Sequence, residues 1–161
     1  LDRKEIPRIS IEKRSKEAQF GVVMIPYKGE KPKVSTATNW QGKTFSADLL
    51  IDGRKHLVIV NDTEGEARRG DITTDGEMCL YTKLEGYLAA AKVSRIQVGG
   101  ESLLSSRDKL ESLEIDCKKK LITVQSPSPT RIEISPCKGF EALGKRLNIP
   151  VKSGVTQVSL G

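Results

Sequence analysis

The chain contains few aromatic residues and only one histidine. Of its 161 residues, one is Trp, three are Tyr and three are Phe, and the histidine is His56. So few rings leave little on which single-stranded nucleic acid could stack, and we predict no nucleic-acid partner. One histidine excludes most catalytic triads and most histidine-based metal sites. His56 begins an apolar stretch after the turn dipeptide Asp52-Gly53, so we expect it at a strand edge, without a catalytic role.

Cysteine is scarce as well, and no nucleotide-binding or membrane-spanning pattern is present. Cys79, Cys117 and Cys137 are too few for a disulfide framework and form no CxxC motif or Cys/His pair. We therefore predict buried thiols, no metal and no cofactor, and leave open a bridge between Cys117 and Cys137. Gly99-Gly100 lacks the spacing of a dinucleotide fingerprint. No apolar run approaches the ~20 residues that a membrane-spanning helix needs, so we predict no membrane partner.

Positive charge exceeds negative charge, and the excess is only partly clustered. The chain has 27 Lys and Arg against 21 Asp and Glu, for a net charge of +6, which favours anionic partners such as acidic polysaccharide. Trp40 lies in a predicted loop over residues 38–42, where its ring either stacks on a sugar or anchors the loop. The basic residues of a predicted loop and of a predicted turn are either solvated or in contact with glycan. The candidate glycan-binding residues are therefore Trp40, Arg68, Arg69, Lys118, Lys119 and Lys120.

Short apolar stretches rich in β-branched residues recur between Gly, Pro, Asp and Asn, which is typical of many short strands. In one of them Leu113 and Ile115 alternate with Glu114 and Asp116, so one face is buried and the other is wet. Two antiparallel sheets with such faces must cover each other. The sequence therefore predicts an all-β, two-sheet antiparallel β-sandwich. The predicted strands cover residues 19–26, 44–51, 56–61, 77–84, 87–98, 112–116, 121–126, 130–135 and 156–160.

We expect one domain, because 161 residues suffice to bury a core without disulfides or metals. Residues 1–18 are charged and are predicted to form a linker or an edge segment, and residues 19–161 are predicted to form the β-sandwich domain. Because the chain begins with Leu1 instead of Met, we expect a piece of a longer or processed protein.

Glycine marks two predicted turns and weakens one predicted helix. Asp52-Gly53 and Asp75-Gly76 predict tight hairpins, because Asp and Gly tolerate the positive φ that such turns require. Residues 139–148 have a helical spacing of apolar side chains that Gly144 interrupts. This segment is predicted to form either a short helix or a hairpin.

A partial match to an aspartic protease is also present. Asp62-Thr63 follows an apolar strand, and Arg107-Asp108 occurs later, in the order found in retropepsin-like aspartic proteases. Glu64 stands where the protease turn needs Gly, and its charged side chain prevents the tight turn that brings two catalytic carboxylates together. A retropepsin-like relative is therefore kept only as an alternative.

Several segments, taken in order, carry a family resemblance. Residues 19–27 (QFGVVMIPY) form an apolar stretch that closes on Pro and an aromatic residue. Residues 57–83 contain a short apolar strand, an Asp-Gly turn and a second strand, and residues 93–104 end in Gly-Gly and a Leu-Leu step. Residues 113–134 form a meander, and residues 154–160 form a last strand. Together these segments resemble the β-rich tail of heparinase II/III-like polysaccharide lyases.

The resemblance implies a non-catalytic C-terminal β-sandwich module of such a lyase. The His, Tyr and Asn residues that carry out β-elimination in these enzymes lie upstream of the tail, in a helical toroid and a central β-domain. No matching motif occurs here, so no catalytic residue is assigned. The module is expected to pack against the upstream catalytic domain of the same chain and to contact acidic polysaccharide, in the periplasm or outside the cell. An independent carbohydrate-binding module is the alternative with the same fold.

Overall fold

The computed structural model describes residues 28–160, whose regular structure is β-strand apart from two 3-10 turns, Lys83–Glu85 and Glu141–Leu143. The predicted all-β, antiparallel class is confirmed. The predicted strand 19–26 and the predicted linker 1–18 lie outside the described residues. Within the described part of the chain, no helix is long and apolar enough to cross a membrane. The strands are β1 (Val34–Gln41), β2 (Thr44–Ile51), β3 (Arg54–Asn61), β4 (Ala67–Arg69), β5 (Ile72–Thr74), β6 (Met78–Thr82), β7 (Tyr87–Val98), β8 (Glu101–Asp116), β9 (Leu121–Ser126), β10 (Thr130–Ile134), β11 (Leu147–Val151) and β12 (Gly154–Ser159).

Hydrogen bonds connect these twelve strands into one antiparallel sheet. Its main order is β1-β2-β3-β6-β7-β8-β10-β11. Strand β5 adds to it beside β7 and carries β4, and β9 adds to it beside β8 and carries β12. The sequence predicted two sheets, whereas the ladders of the described residues continue from one half of the structure into the other.

The hairpin of β7 and β8 joins the two halves, because each of its strands pairs with a different neighbour at each end. The first part of β7 pairs with β6 and its last part with β5. Likewise, the last part of β8 pairs with β9, whereas an earlier part pairs with β10. The β7–β8 ladder shifts register between Val93 and Arg95, and such a β-bulge bends and twists a strand. The hairpin therefore passes from one half of the sheet into the other at this bulge.

The main core is one continuous cluster that receives side chains from both halves of the sheet. Along most of β7, β9 and β10 its members alternate with outward residues, which is the two-residue period of a strand. Each fully buried Leu or Ile contributes roughly 1.5–3 kcal/mol relative to an exposed side chain. The fully buried side chains include Ile59, Ile72, Leu88, Ile96, Leu104, Leu110, Leu113, Ile115, Ile122, Ile132 and Phe140.

The strands with the clearest apolar alternation match the sequence predictions. Residues 44–51, 87–98 and 121–126 are β2, β7 and β9, residue for residue. Asp52 and Gly53 adopt the predicted positive φ, 48° and 80°, in the hairpin between β2 and β3. This part of the fold therefore follows from local patterning and turn chemistry.

Two predicted loops are strands instead. Trp40 lies in β1, not in a loop, and Arg68 and Arg69 lie in β4. Strand β1 is exposed along its whole length, so its sequence needs no buried apolar face. Strand β4 has three residues, which are too few to show the two-residue alternation of a strand. Residues 139–148 contain the single 3-10 turn Glu141–Leu143 and the beginning of β11, so the predicted helix is reduced to one turn.

The predicted hairpin at Asp75-Gly76 is wrong. The segment connects β5 to β6, and both of these strands pair with β7, so the chain continues along β7 without reversing. Gly76 is not among the residues with a positive φ. A Cβ at this position would lie 3.0 Å from the carbonyl oxygen of Ala91 and 3.1 Å from Cβ of Val93. Glycine is needed here for close packing and not for a turn.

Candidate functional site

One row of apolar side chains crosses five strands on the face of the sheet that points away from the main core. The cross-strand partners run from Trp40 to Phe45 and then to Val60, Met78 and Ala91. Partners in register lie on the same face of a sheet, and the main core takes the alternate positions of β3, β6 and the first part of β7. Trp40, Val60 and Met78 are 40%, 40% and 51% exposed. We call these five residues the outer row.

A second row beside the outer row is also mostly apolar. It runs from Ala47 through Val58 and Leu80 to Ala89. Phe45 and Ala47 are buried in a small cluster that is separate from the main core. The sheet is therefore apolar on both faces over β3, β6 and β7, as in sheets that are covered on both sides. We call the two rows together the outer apolar face.

Trp40 is anchored to this face by its ring. The ring centroids of Trp40 and Phe45 lie 5.1 Å apart, with the planes tilted by 53°, and aromatic pairs favour tilted contacts at this distance. Part of the indole ring therefore packs against Phe45 at the end of β1. The exposed remainder of Trp40 is open to a partner.

The three lysines predicted for a turn lie between β8 and β9, as expected, and two of them contact carboxylates. Lys118 Nζ lies 3.3 Å from Glu85 Oε1, and Lys119 Nζ lies 3.1 Å from Asp116 Oδ2. Asp116 Oδ1 accepts a hydrogen bond from the Lys119 amide at 2.9 Å, and this bond is the main reason that the pKa of the Asp116 carboxyl lies below its ordinary value. Lys120 has a positive φ of 53°. This cluster is therefore in large part a structured turn.

Arg68 and Arg69 differ in their contacts. Arg69 Nη2 lies 2.6 Å from Asp48 Oδ2, which ties β4 to β2. Arg68 is exposed and forms no ion pair with the described residues. In the described chain no hydrogen bond or ion pair connects the two arginines with Trp40 or with the lysine turn. The predicted glycan-binding residues therefore lie on three different elements, β1, β4 and the turn between β8 and β9.

The residues considered for chemistry are held in structural contacts or exposed singly. His56 Nδ1 lies 2.8 Å from Thr82 Oγ1 across β3 and β6. Asp62 is exposed just after β3, whereas Asp108 of β8 accepts a 3.0 Å hydrogen bond from Thr130. No hydrogen bond joins the two aspartates within residues 28–160. That same range contains no group of three or more His, Cys, Asp or Glu side chains that could hold a metal ion.

The three cysteines are unpaired thiols in the structure. Cys79 and Cys137 are buried, and Cys117 is partly buried. Burial raises the pKa of Cys79 to about 12 and is the largest cause that raises the pKa of Cys137 to about 11. Tyr81, whose hydroxyl is buried and has no hydrogen-bond partner in the described chain, stacks on Phe140 with ring centroids 5.9 Å apart. These groups belong to the packing of the core.

No protein-family model matches the chain, and no curated protein matches it in sequence. The class of protein therefore rests on the fold and its surfaces. These define an all-β antiparallel domain with an apolar core on one face of its sheet, a second apolar face on the other, and an excess of basic residues.

Proposed function

We propose that the chain is the non-catalytic C-terminal β-module of a heparinase II/III-like polysaccharide lyase, and that its outer apolar face packs against the catalytic part. The outer row is the observation that carries this proposal. Trp40, Val60 and Met78 stand in one row and are each 40% exposed or more. Val60 and Met78 are direct neighbours, and the buried Phe45 separates them from Trp40. Exposed apolar side chains that cluster in this way mark a contact surface. The resemblance of residues 19–160 to the tail of these lyases supports the same assignment.

The position of β1 supports the catalytic part as the occupant of this face. Strand β1 is an edge strand of the sheet and contributes Trp40 to the outer row. Residues 28–33 lead directly into β1, the edge strand that carries Trp40, and join it at Val34, six residues before Trp40. In the lyases that the chain resembles, the catalytic part lies on the N-terminal side of the tail. A lyase of this kind acts on acidic glycan in the periplasm or outside the cell.

Two lysine substitutions test the packing. Val60→Lys and Met78→Lys place a charge on outward positions and leave the main core untouched. In the parent lyase we expect them to split a single thermal transition into two, because the module no longer unfolds together with the catalytic part. The matched control is Leu84→Lys, since Leu84 is 86% exposed on a 3-10 turn. An unchanged single transition in both substituted chains would contradict the proposed packing.

A second experiment tests the lack of activity. The isolated chain and the chain joined to its upstream catalytic part are incubated with heparin, chondroitin sulfate and alginate, and the absorbance of the unsaturated uronate product is followed. We expect product from the joined protein alone. Product release by the isolated chain, abolished by a substitution within it, would overturn the assignment as a non-catalytic module.

An independent carbohydrate-binding module is the second candidate, and the exposed part of the Trp40 ring favours it. Aromatic faces of this kind can pack against sugar rings. This candidate predicts that the isolated chain binds a neutral polysaccharide and that Trp40→Leu abolishes binding while it retains the apolar contact with Phe45. Unchanged binding by Trp40→Leu would remove the candidate.

A further inference from the structure

Two arginines face each other across β8 and β10. Ser106 of β8 pairs with Ile132 of β10, so one step further along this antiparallel ladder Arg107 lies opposite Arg131. Ile132 is buried in the core, and neighbouring residues of a strand point to opposite faces. Both arginines therefore point outward, and both are exposed.

The strands remain in register beyond this pair. The Thr130 hydroxyl donates a 3.0 Å hydrogen bond to Asp108, which is the next step along β10 and β8. Contacts on both sides thus hold Arg107 and Arg131 beside each other. Their proximity is a consequence of strand pairing and does not depend on the conformation of a loop.

Neither arginine is neutralised within the described chain, where no carboxylate forms an ion pair with Arg107 or Arg131. Glu133, the next outward residue of β10, is paired with Arg146, with 3.5 Å between Nε and Oε1. Like charges on directly opposed positions destabilise an antiparallel pair of strands. An anion that bridges the two guanidinium groups would remove this repulsion.

The arginines line an open groove of about 470 Å³ together with Ser105, Asn148, Pro150 and Glu133. The ion pair with Arg146 offsets the negative charge of Glu133 in this lining. The Ser105 hydroxyl and the Asn148 amide supply neutral hydrogen-bonding groups, and a guanidinium group binds a planar carboxylate or a similar oxyanion through parallel N–H bonds. We propose that this groove binds the carboxylate or sulfate groups of an acidic polysaccharide. The proposal rests on the proposed function and deepens it, because it names the place where the module contacts glycan.

The lining of the groove favours glycan over nucleic acid. None of the residues that line it is aromatic, and proteins that bind single strands stack the bases on aromatic rings. The groove also holds two unpaired cations, whereas each basic cluster keeps only one within the described residues. Arg69 is paired with Asp48, and Lys118 is paired with Glu85.

The test compares two double variants that each remove two positive charges. Arg107→Gln with Arg131→Gln changes the groove, and Lys55→Gln with Lys138→Gln changes two exposed cations that belong neither to the groove nor to the candidate glycan-binding residues. Affinity electrophoresis measures the binding of each chain to heparin and to alginate, which distinguishes sulfate from carboxylate. We expect the groove variant to bind at least about tenfold more weakly, as is typical of a lost charge-assisted hydrogen bond. The affinity of the control variant for polysaccharide should fall only about twofold, because the charges that it removes act at long range and are screened by salt.

The outcomes separate this proposal from the assignment to a lyase. The proposed glycan site would be contradicted if both double variants weakened binding equally. It would also be contradicted if the unchanged chain bound neither polysaccharide. Binding of a single-stranded oligonucleotide as tightly as heparin would also overturn it. Urea denaturation checks the fold, and we expect the groove variant to be as stable as the unchanged chain or more so. A different result would contradict the lyase assignment, namely product release by the isolated chain.

Discussion

The carboxylate of Asp75 accepts hydrogen bonds from both the backbone amide of Ser94, at 2.9 Å, and the hydroxyl of the same residue. The amide of Arg95 donates a further hydrogen bond at 2.8 Å. Ser94 lies where the β7–β8 ladder shifts register, and a bulge leaves backbone groups without ladder partners. The connection between β5 and β6 thus supplies the acceptor that the bulge requires. The bend that joins the two halves of the sheet depends on this carboxylate.

Removal of the carboxylate is expected to destabilise the whole domain. Asp75→Ala leaves the amides of Ser94 and Arg95, whose hydrogen bonds are partly buried, without their acceptor, and we expect a loss of about 1–3 kcal/mol in the free energy of unfolding. Urea denaturation measures it. The control is Asp71→Ala, which removes an exposed ion pair with Lys83 at 2.6 Å. The free energy of unfolding should fall much less in this variant, because water screens exposed ion pairs. Equal losses in the two variants would contradict the role of Asp75.

The same carboxylate makes stability depend on pH in a defined direction. Burial raises its pKa, but hydrogen bonds from Ser94 and Arg95 outweigh burial and hold the pKa of the Asp75 carboxyl below its ordinary value. A carboxyl whose pKa is lower in the folded chain stabilises the fold above its unfolded pKa, about 3.9. That contribution is lost as the pH falls through the folded pKa. We expect the urea midpoints of the unchanged chain and Asp75→Asn to differ most at neutral pH and to converge below about pH 4. A difference that grows toward acid would contradict this explanation.

Local patterning accounts for the strands that were predicted and for those that were missed. Strands β2 and β9 alternate strongly between apolar and polar residues, and the Asp52-Gly53 turn fixes the register of β2 with β3. Residues 101–111 are mostly polar, yet they extend β8, because β7 and β10 supply hydrogen bonds on both sides. Pairing with strands that are distant in sequence determines the structure of this segment. The local alternation of apolar and polar residues does not encode such pairing.

The candidate surfaces depend on register in the same way. The sequence predicts Trp40 as a surface aromatic residue, but only the pairing of four strands places it in one row with Val60 and Met78. Arg107 and Arg131 are 24 residues apart in sequence, and the ladder between β8 and β10 alone makes them neighbours. The two basic clusters are recognisable in the sequence because their charges are adjacent. Several of those charges are paired with carboxylates in the fold.

Gly76 is expected to tolerate no side chain. In Gly76→Ala the new methyl group meets the Ala91 carbonyl oxygen at 3.0 Å, which is backbone and cannot rotate away. We expect a loss of about 1–3 kcal/mol in the free energy of unfolding, as in overpacked cores. Gly65→Ala is the matched control: Gly65 has no positive φ, and its nearest neighbouring atom, Thr63 Oγ1, would lie 3.8 Å away. Comparable urea midpoints for the two variants would contradict the close approach at Gly76.

The thiols are expected to react with an alkylating reagent in an order set by burial. The thiolate is the reactive form, and a pKa raised from 9.0 to about 12 lowers the thiolate fraction of Cys79 near neutral pH about a thousandfold. Burial also closes the path of the reagent to Cys79, which is 1% exposed. Cys117 is partly buried and should therefore be labelled first in the native chain, whereas Cys79 should be labelled only when the sheet opens.

Mass spectrometry of peptides from timed iodoacetamide labelling measures this order. Cys117→Ser should remove the fast phase and leave the slow phase unchanged, and about 1 M urea should accelerate the labelling of Cys79 more than that of Cys117, because denaturant promotes opening. Labelling of Cys79 as fast as Cys117 in the native chain would show that the strands β3, β6 and β7 around Cys79 are not the closed core that their burial indicates.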